Sequence, residues 1–512
     1  MVSTAHPIAT QAGLEVLEAG GNAFDAAIAI GATLTVVEPY NSSVGGYGLM
    51  LIYDAKTGRT RALNSSGRIP KAVDSDVFRP PTPNYLANRV GAKAISTPGV
   101  VNGWEALWKE YGSLKWERLF DPAIKAADEG FILSRGIGDV FHQFSDYTKS
   151  FYGRDGKPLQ AGDRLVQKDL ANSFRLIARE GARAIQGGKL GQAIDAEMRA
   201  RGSFLRLSDL IENKAEWGET VSLDYRGYKV VVSAPPANSF SSLISIGIMS
   251  YFDLPALGHN STAYLHRFAE ATKHGFWCRL AYASDPEIKR PPLDKLLSKQ
   301  YLEEQAKKID PRRASRWVAP GLAATEGSET THFVVADEWG NIVTATQTLG
   351  HGYGSKIMVK GTGIWLNNSL AFCTFEPKGN PMDAHPGRRK LASFNPAFVF
   401  KGDRPIVAIG TPGGHTIPQT VAQVILNYLS FGLDIQQAIA APRISFTEEG
   451  SFIVEGAIPQ AVRDELAAMG HQLRVGQIGN AHGLTIEYNA QGKPIKFTGG
   501  ADPRGQGLAR GR

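Results

Sequence analysis

The chain has 512 residues, 43% of them hydrophobic and 21% charged, which suits a globular protein of one large domain or two intimately joined parts and excludes general disorder. Its net charge of +7 does not mark a nucleic-acid binder. The basic residues are dispersed except for Arg312-Arg313, Arg388-Arg389-Lys390 and the Ala509 to Arg512 tail, and no aromatics interleave them.

The first thirty residues have no basic leader region and carry Glu15, Glu18 and Asp25, so they read as amphipathic helix rather than a secretory signal. Gly20-Gly21 splits them into two helical patterns, with Asn22 as N-cap and Asp25 three residues on. Next comes VVEPYNSSVGGYGLMLIYD, a Gly-rich stretch running into an apolar strand, followed by a turn at residues 55 to 58 and a second strand near Arg61 to Asn64. Residues 100 to 215 show mainly helical spacing. A strand from Tyr228 to Ser233 precedes further helices, the longest reading AYLHRFAEATKHGFWCRLAYASDP. Between Asp310 and Glu329 periodicity is lost in a Pro-, Gly- and Ala-rich loop. The stretch ETTHFVVADEWGN then opens a hairpin whose turn is Gly340-Asn341. Strands follow at 397 to 400 and 405 to 409, a helix at Ile417 to Leu429, and a closing hairpin from Leu484 to Phe497. Strands and helices segregate, so an α+β layered fold is expected rather than a doubly wound sheet.

No uncharged apolar run of about 18 residues is present. Cys278 and Cys373 form neither a disulfide framework nor a metal spacing. The expectation is a cytoplasmic protein without metal, cofactor, nucleic-acid partner or membrane partner.

In their order along the chain, MVSTAHPIATQAGLEVLEAGGNAFDAA, STPGVVNGW, ETTHFVVADEWGNIVTATQT, GTGIWLNN, PGRRKLASFNPAFV, GTPGGHTIPQT and TGGADPR resemble the gamma-glutamyltransferase family of N-terminal nucleophile hydrolases. The resemblance covers nearly the whole chain. It implies a four-layer αββα sandwich made as an inactive precursor that cuts itself between Glu329 and Thr330. The products are a large subunit, 1 to 329, and a small one, 330 to 512, intertwined as a heterodimer; further homodimerisation is left open.

Such a cut has a chemical reason. A threonine hydroxyl is a weak nucleophile without a base in reach, and cleavage creates an α-amino group, of ordinary pKa about 7.7 to 8.0, on the same residue. By the resemblance, Thr348 hydrogen-bonds the nucleophile, and the backbone N–H groups of Gly413 and Gly414 form an oxyanion hole. One aligned donor of that kind contributes roughly 3 to 4 kcal/mol to transition-state stabilisation. His332 is expected to be structural, since the α-amine already fills the role of base.

The departures from the family fall where it binds the glutamate α-carboxylate and α-ammonium. Ser66 stands at its arginine position, with Arg68 two residues on, and Gly350 replaces an asparagine beside His351. Ser369 and Phe372 replace a glutamine and an aspartate, and the family's serine pair reads Ala392-Ser393. Two outcomes follow: Arg68 and His351 form a rearranged anion site, or the acyl group differs. Phe372 favours the second. The expected activity is cleavage of a small-molecule amide through a threonine acyl-enzyme, discharged to water or an acceptor amine, with specificity shifted away from γ-glutamyl groups. The alternatives are an ordinary gamma-glutamyltransferase and an uncleaved metabolite-binding protein.

Overall fold

The structure is a computed structural model that describes residues 1–320, 329–390 and 392–511, without the Glu329 side chain. Thirteen strands build its two central sheets. They are β1 (Val2–Thr4), β2 (Tyr47–Asp54), β3 (Arg59–Asn64), β4 (Glu216–Gly218), β5 (Thr220–Tyr225), β6 (Tyr228–Ser233), β7 (Glu329–Ala336), β8 (Ile342–Gly350), β9 (Ala397–Lys401), β10 (Arg404–Gly410), β11 (His482–Tyr488), β12 (Pro494–Ala501) and β13 (Leu508–Arg510). One sheet has the order β13-β1-β7-β8-β2-β3-β4 and the other β12-β11-β10-β9-β6-β5, with antiparallel neighbours throughout.

The layers follow from which side chains each face presents. Leu51, Val334, Ile342, Phe398, Ala408 and Leu484 meet between the sheets in one buried cluster. On the outer face of the first sheet, Phe333, Val335, Val343 and Ala345 pack under helices α1 (Pro7–Glu18) and α2 (Ala23–Val37). The alternate residues of β7 and β8 therefore serve two cores, which is why these strands read as nearly continuous apolar runs. Helices α3 (Phe240–Met249), α4 (Thr262–Tyr282) and α5 (Ile417–Phe431) cover the second sheet through Val230, Val399, Val407 and Ile409. The fold is a four-layer αββα sandwich of the N-terminal nucleophile hydrolase type, as expected.

The predicted start of α2 is present: Asn22 accepts from the Phe24 and Asp25 N–H groups, and the Asp25 carboxylate accepts from the Asn22 N–H. Four strands escaped the sequence reading, β1, β4, β5 and β13. Residues on both sides of position 330 contribute to each sheet, so β7 lies between β1 and β8. Part of the expected loop before Glu329, residues 321–328, lies outside the described residues. Both cysteines are free and buried, and no described helix is long and apolar enough to cross a membrane.

Candidate active site

Thr330 stands at the second position of β7, where the ladder to β8 slips: Glu329 pairs with Gly350 but Thr331 with Gln347, so Thr348 and Leu349 together oppose Thr330. This bulge turns the Thr348 hydroxyl toward the start of β7. Thr330 Oγ1 donates to Thr348 Oγ1 at 3.2 Å, and the Gly350 N–H donates to the same oxygen at 2.8 Å. Both threonines are buried, Thr330 at 6% exposure and Thr348 at 2%.

Alternation along β7 separates its next two residues. Thr331 points to the helical layer, where its hydroxyl donates to Glu38 Oε2 at 2.7 Å just beyond the end of α2. Burial pushes the Glu38 carboxyl up to about 7, against the opposing effect of hydrogen bonds from Thr331 and Asn41. His332 points between the sheets, its Nδ1 2.9 Å from Thr346 Oγ1 and its Nε2 3.1 Å from Thr344 Oγ1. Burial holds its imidazole neutral, well below the usual range. Gly410 of β10 leaves room for this ring, since a Cβ there would lie 2.2 Å from His332 Cε1.

Beyond β10 the chain turns through Gly413, with φ +128°, and Gly414, with φ +59°, into a short 3-10 turn and then α5. A Cβ on Gly413 would meet Thr416 Oγ1 at 2.5 Å. Gly414 lines a cleft of about 30 Å³ together with Thr330, Thr348, Gly350, Phe372 and Lys390. Tyr47, Ala392, Ser393, Phe394 and Ile417 complete its described lining.

The expected substrate residues divide. Gly350, Phe372, Ala392 and Ser393 line the cleft beside Thr330. Gly350 is held at φ +104°, and a Cβ there would lie 2.3 Å from Asn368 Oδ1 and 2.7 Å from Phe372 Cε2. Phe372 thus occupies space that an asparagine side chain at position 350 would need. His351 sits behind it, its ring centroid 4.8 Å from that of Phe372 and its Nδ1 accepting from Asn368 Nδ2 at 2.8 Å. Ser369 is buried with its Oγ 2.5 Å from Ser96 Oγ. Ser66 turns its hydroxyl to Asn64 Oδ1 at 2.6 Å.

Arg68 corrects the idea of a rearranged anion site. Its guanidinium donates to Glu216 at 2.8 Å, to Glu287 at 3.1 Å and to the Gly387 carbonyl at 2.9 Å. Two carboxylates already claim it, and it is absent from the described cleft lining. Sequence reasoning missed Tyr47, Phe394 and Ile417 of the lining, and Lys390, whose ammonium lies 5.0 Å from the Tyr47 ring centroid and 5.4 Å from that of Phe372. Its position in the run Arg388-Arg389-Lys390 reads as solvated surface, yet the three part company. Arg388 pairs with Glu287, Arg389 with Glu216, and Lys390 faces the cleft.

Elsewhere, the buried side chains of His266, Glu270 and His471 bring possible metal-ligand atoms within 4.8 Å of one another. Those atoms are already engaged. His266 Nδ1 is 2.8 Å from His471 Nε2, His266 Nε2 is 2.7 Å from the Asp310 carbonyl, and Glu270 pairs with Lys273 at 2.7 Å.

The sequence profile described as Gamma-glutamyltranspeptidase matches residues 9–511. The chain is 35% identical to a glutathione hydrolase proenzyme of Pseudomonas sp. strain A14, covering 100% of this chain and 94% of that protein. It is 34% identical to the Acylase ACY 1 proenzyme of Pseudomonas sp. strain SE83, covering 98% and 94%. The crystal structure of a cephalosporin acylase from Bacillus halodurans superposes with a TM-score of 0.88 at 28% identity, covering 100% of this chain and 96% of that one.

Proposed function

The chain belongs to the gamma-glutamyltranspeptidase family and is an amidohydrolase or transferase of that kind; on that premise we propose that it cleaves itself before Thr330 and then hydrolyses amides through an acyl-enzyme on that threonine. In this reading the freed α-amine takes the Thr330 Oγ1 proton as the oxygen bonds to the substrate carbonyl carbon. The C–N bond then breaks, and the amine passes its proton to the leaving nitrogen. Thr348 holds the attacking hydroxyl in line, and the Gly413 and Gly414 N–H groups receive the oxyanion. Water, or an acceptor amine, discharges the acyl group.

The acyl group is one without an α-ammonium. The observation that carries this is the cleft wall. Phe372, Tyr47, Phe394 and Ile417 surround the nucleophile, and no aspartate or glutamate is among the described lining residues. An ammonium brought out of water without a carboxylate partner loses several kcal/mol. γ-Glutamyl p-nitroanilide should therefore be a much poorer substrate than an acyl anilide of similar length that lacks the amino group. Purified protein should also separate on a denaturing gel into residues 1–329 and 330–512, while Thr330→Ala stays one chain. Efficient γ-glutamyl cleavage would return the protein to ordinary glutathione hydrolase chemistry, and a wild type that persists uncut would remove the threonine mechanism.

A further inference from the structure

Thr330 has little of the sheet to hold it. Strand β1 pairs with β7 only from Phe333 to Val335, and the ladder to β8 slips across Thr330. A cut before Thr330 would make it a chain end, where strands fray, yet a nucleophile has to stay within a fraction of an ångström of its line of attack. The side chains of the next two residues therefore matter. His332 is bonded between the sheets to Thr344 and Thr346, and Thr331 donates to Glu38 in the helical layer at 2.7 Å. Glu38 also begins a short loop that grips β8. The Asn41 and Ser42 N–H groups donate to the Glu38 carbonyl at 2.9 and 3.1 Å, the Asn41 carbonyl accepts from the Leu349 N–H at 3.1 Å, and Ser42 Oγ accepts from Gln347 Nε2 at 2.8 Å. One loop thus holds the residue after Thr330 and the residues on either side of Thr348. The Glu38 carboxyl is buried, and the groups that bear on its charge are the Thr331 and Asn41 side chains and the Tyr40 phenol, none of them a cation. A buried acid without a cation weakens the fold as it ionises, so packing alone does not account for a carboxyl under Thr331.

We infer that Glu38 is a positioning residue for the nucleophile: by accepting from the Thr331 hydroxyl it pins the start of β7 and keeps Thr330 Oγ1 on Thr348, both for the cut and for the acyl transfer after it. This rests on the reading of Thr330 as the self-liberated nucleophile and concerns what holds it in place. After the cut, the same bond joins the large subunit, which carries Glu38, to the second residue of the small one. Glu38 touches no reacting atom and gains or loses nothing in either step. Protonated or ionised, its carboxyl offers Thr331 an oxygen lone pair.

The test separates position from stability. Glu38→Leu and Thr331→Val each leave a buried polar group without its mate, whereas the double variant replaces both partners by apolar groups of similar shape, an exchange close to neutral for the fold. Urea midpoints are read in the Thr330→Ala background. With Thr330 present, maturation is followed on a denaturing gel, and turnover of glutaryl p-nitroanilide, the γ-glutamyl anilide without its amino group, is counted per cut chain. Both single variants should lose stability and mature about 10- to 100-fold more slowly than wild type. The double variant should regain the midpoint of its parent but stay roughly tenfold or more slow, in maturation and in kcat, with KM little changed. Thr331→Ser keeps the hydroxyl and should stay within about threefold of wild type. A double variant that recovers its rate together with its stability would make the pair merely structural and overturn the proposal. So would a Thr331→Val chain that matures at the wild-type rate, and this result decides the matter if the double variant fails to fold. A wild type that never cuts itself would overturn the threonine reading and the role of Glu38 with it, whereas the first two results would leave that reading standing.

Discussion

Replacing Thr348 by Val tests the bulge directly, because one oxygen there serves two partners. Thr348 Oγ1 accepts from Thr330 Oγ1 at 3.2 Å and from the Gly350 N–H at 2.8 Å. Valine has nearly the shape of threonine, so the loss is that of the hydroxyl. The Gly350 N–H is buried between β8 and Phe372, and an amide left there without an acceptor costs about 1 to 3 kcal/mol. This term should be measured in a Thr330→Ala background, where every molecule stays one chain, as the urea midpoint of Thr348→Val against its parent. The catalytic term is separate. A nucleophile that loses its positioning contact drifts by a fraction of an ångström, enough to cost on the order of 10²-fold in rate. With Thr330 present, the Thr348→Val chain should mature correspondingly slowly on a denaturing gel and turn over any amide substrate poorly. Thr348→Ser keeps the oxygen and should stay within about tenfold of wild type. Wild-type maturation by Thr348→Val, together with an unchanged urea midpoint, would refute the role given to this hydroxyl.

Two further outcomes follow from buried groups beside the nucleophile. Glu38 has its carboxyl raised from 4.5 to about 7 in the folded protein, so the native state holds its proton more tightly than the unfolded chain, and this group's contribution to stability falls as pH rises from about 4.5 to about 7. Glu38→Gln removes that dependence. In the Thr330→Ala background the variant should gain about 3 kcal/mol relative to its parent between pH 4.5 and pH 8 in urea unfolding, and parallel stability curves would contradict the burial argument. His332→Ala should lower soluble yield and destabilise the chain by about 2 to 4 kcal/mol, since it opens a cavity against Gly410 and strips two threonines of their partner. Normal folding and maturation with complete loss of turnover would instead make His332 the base.

What was legible in the sequence depended on whether the signal was local. The β7–β8 hairpin carried its own evidence in β-branched residues on either side of Gly340-Asn341, and Asn22 with Asp25 announced the start of α2. Strand β1 carried none: three residues long, it is defined by partners more than 300 positions away, Val335 and Arg510. The same distance effect explains Arg68 and Lys390. Proximity to the Ser66 position suggested Arg68 for the cleft, but Glu216 and Glu287, remote in sequence, take it away. Lys390 looked like one of three surface charges until folding gave its two neighbours acidic partners and turned it inward. The one available hint was its place two residues before Ala392-Ser393, a stretch already tied to substrate.

The pairing of Val2 with Arg510 sets the two ends of the chain side by side at one edge of the first sheet, where β1 runs antiparallel to both β13 and β7. A linker of hairpin length could close the polypeptide into a ring, and the ring could be reopened just before Thr330. Such a circular permutant would carry the threonine amine as soon as its initiator methionine was removed. Maturation would then depend on gene layout rather than on peptide-bond chemistry, and variants too damaged to cut themselves could be assayed for turnover alone.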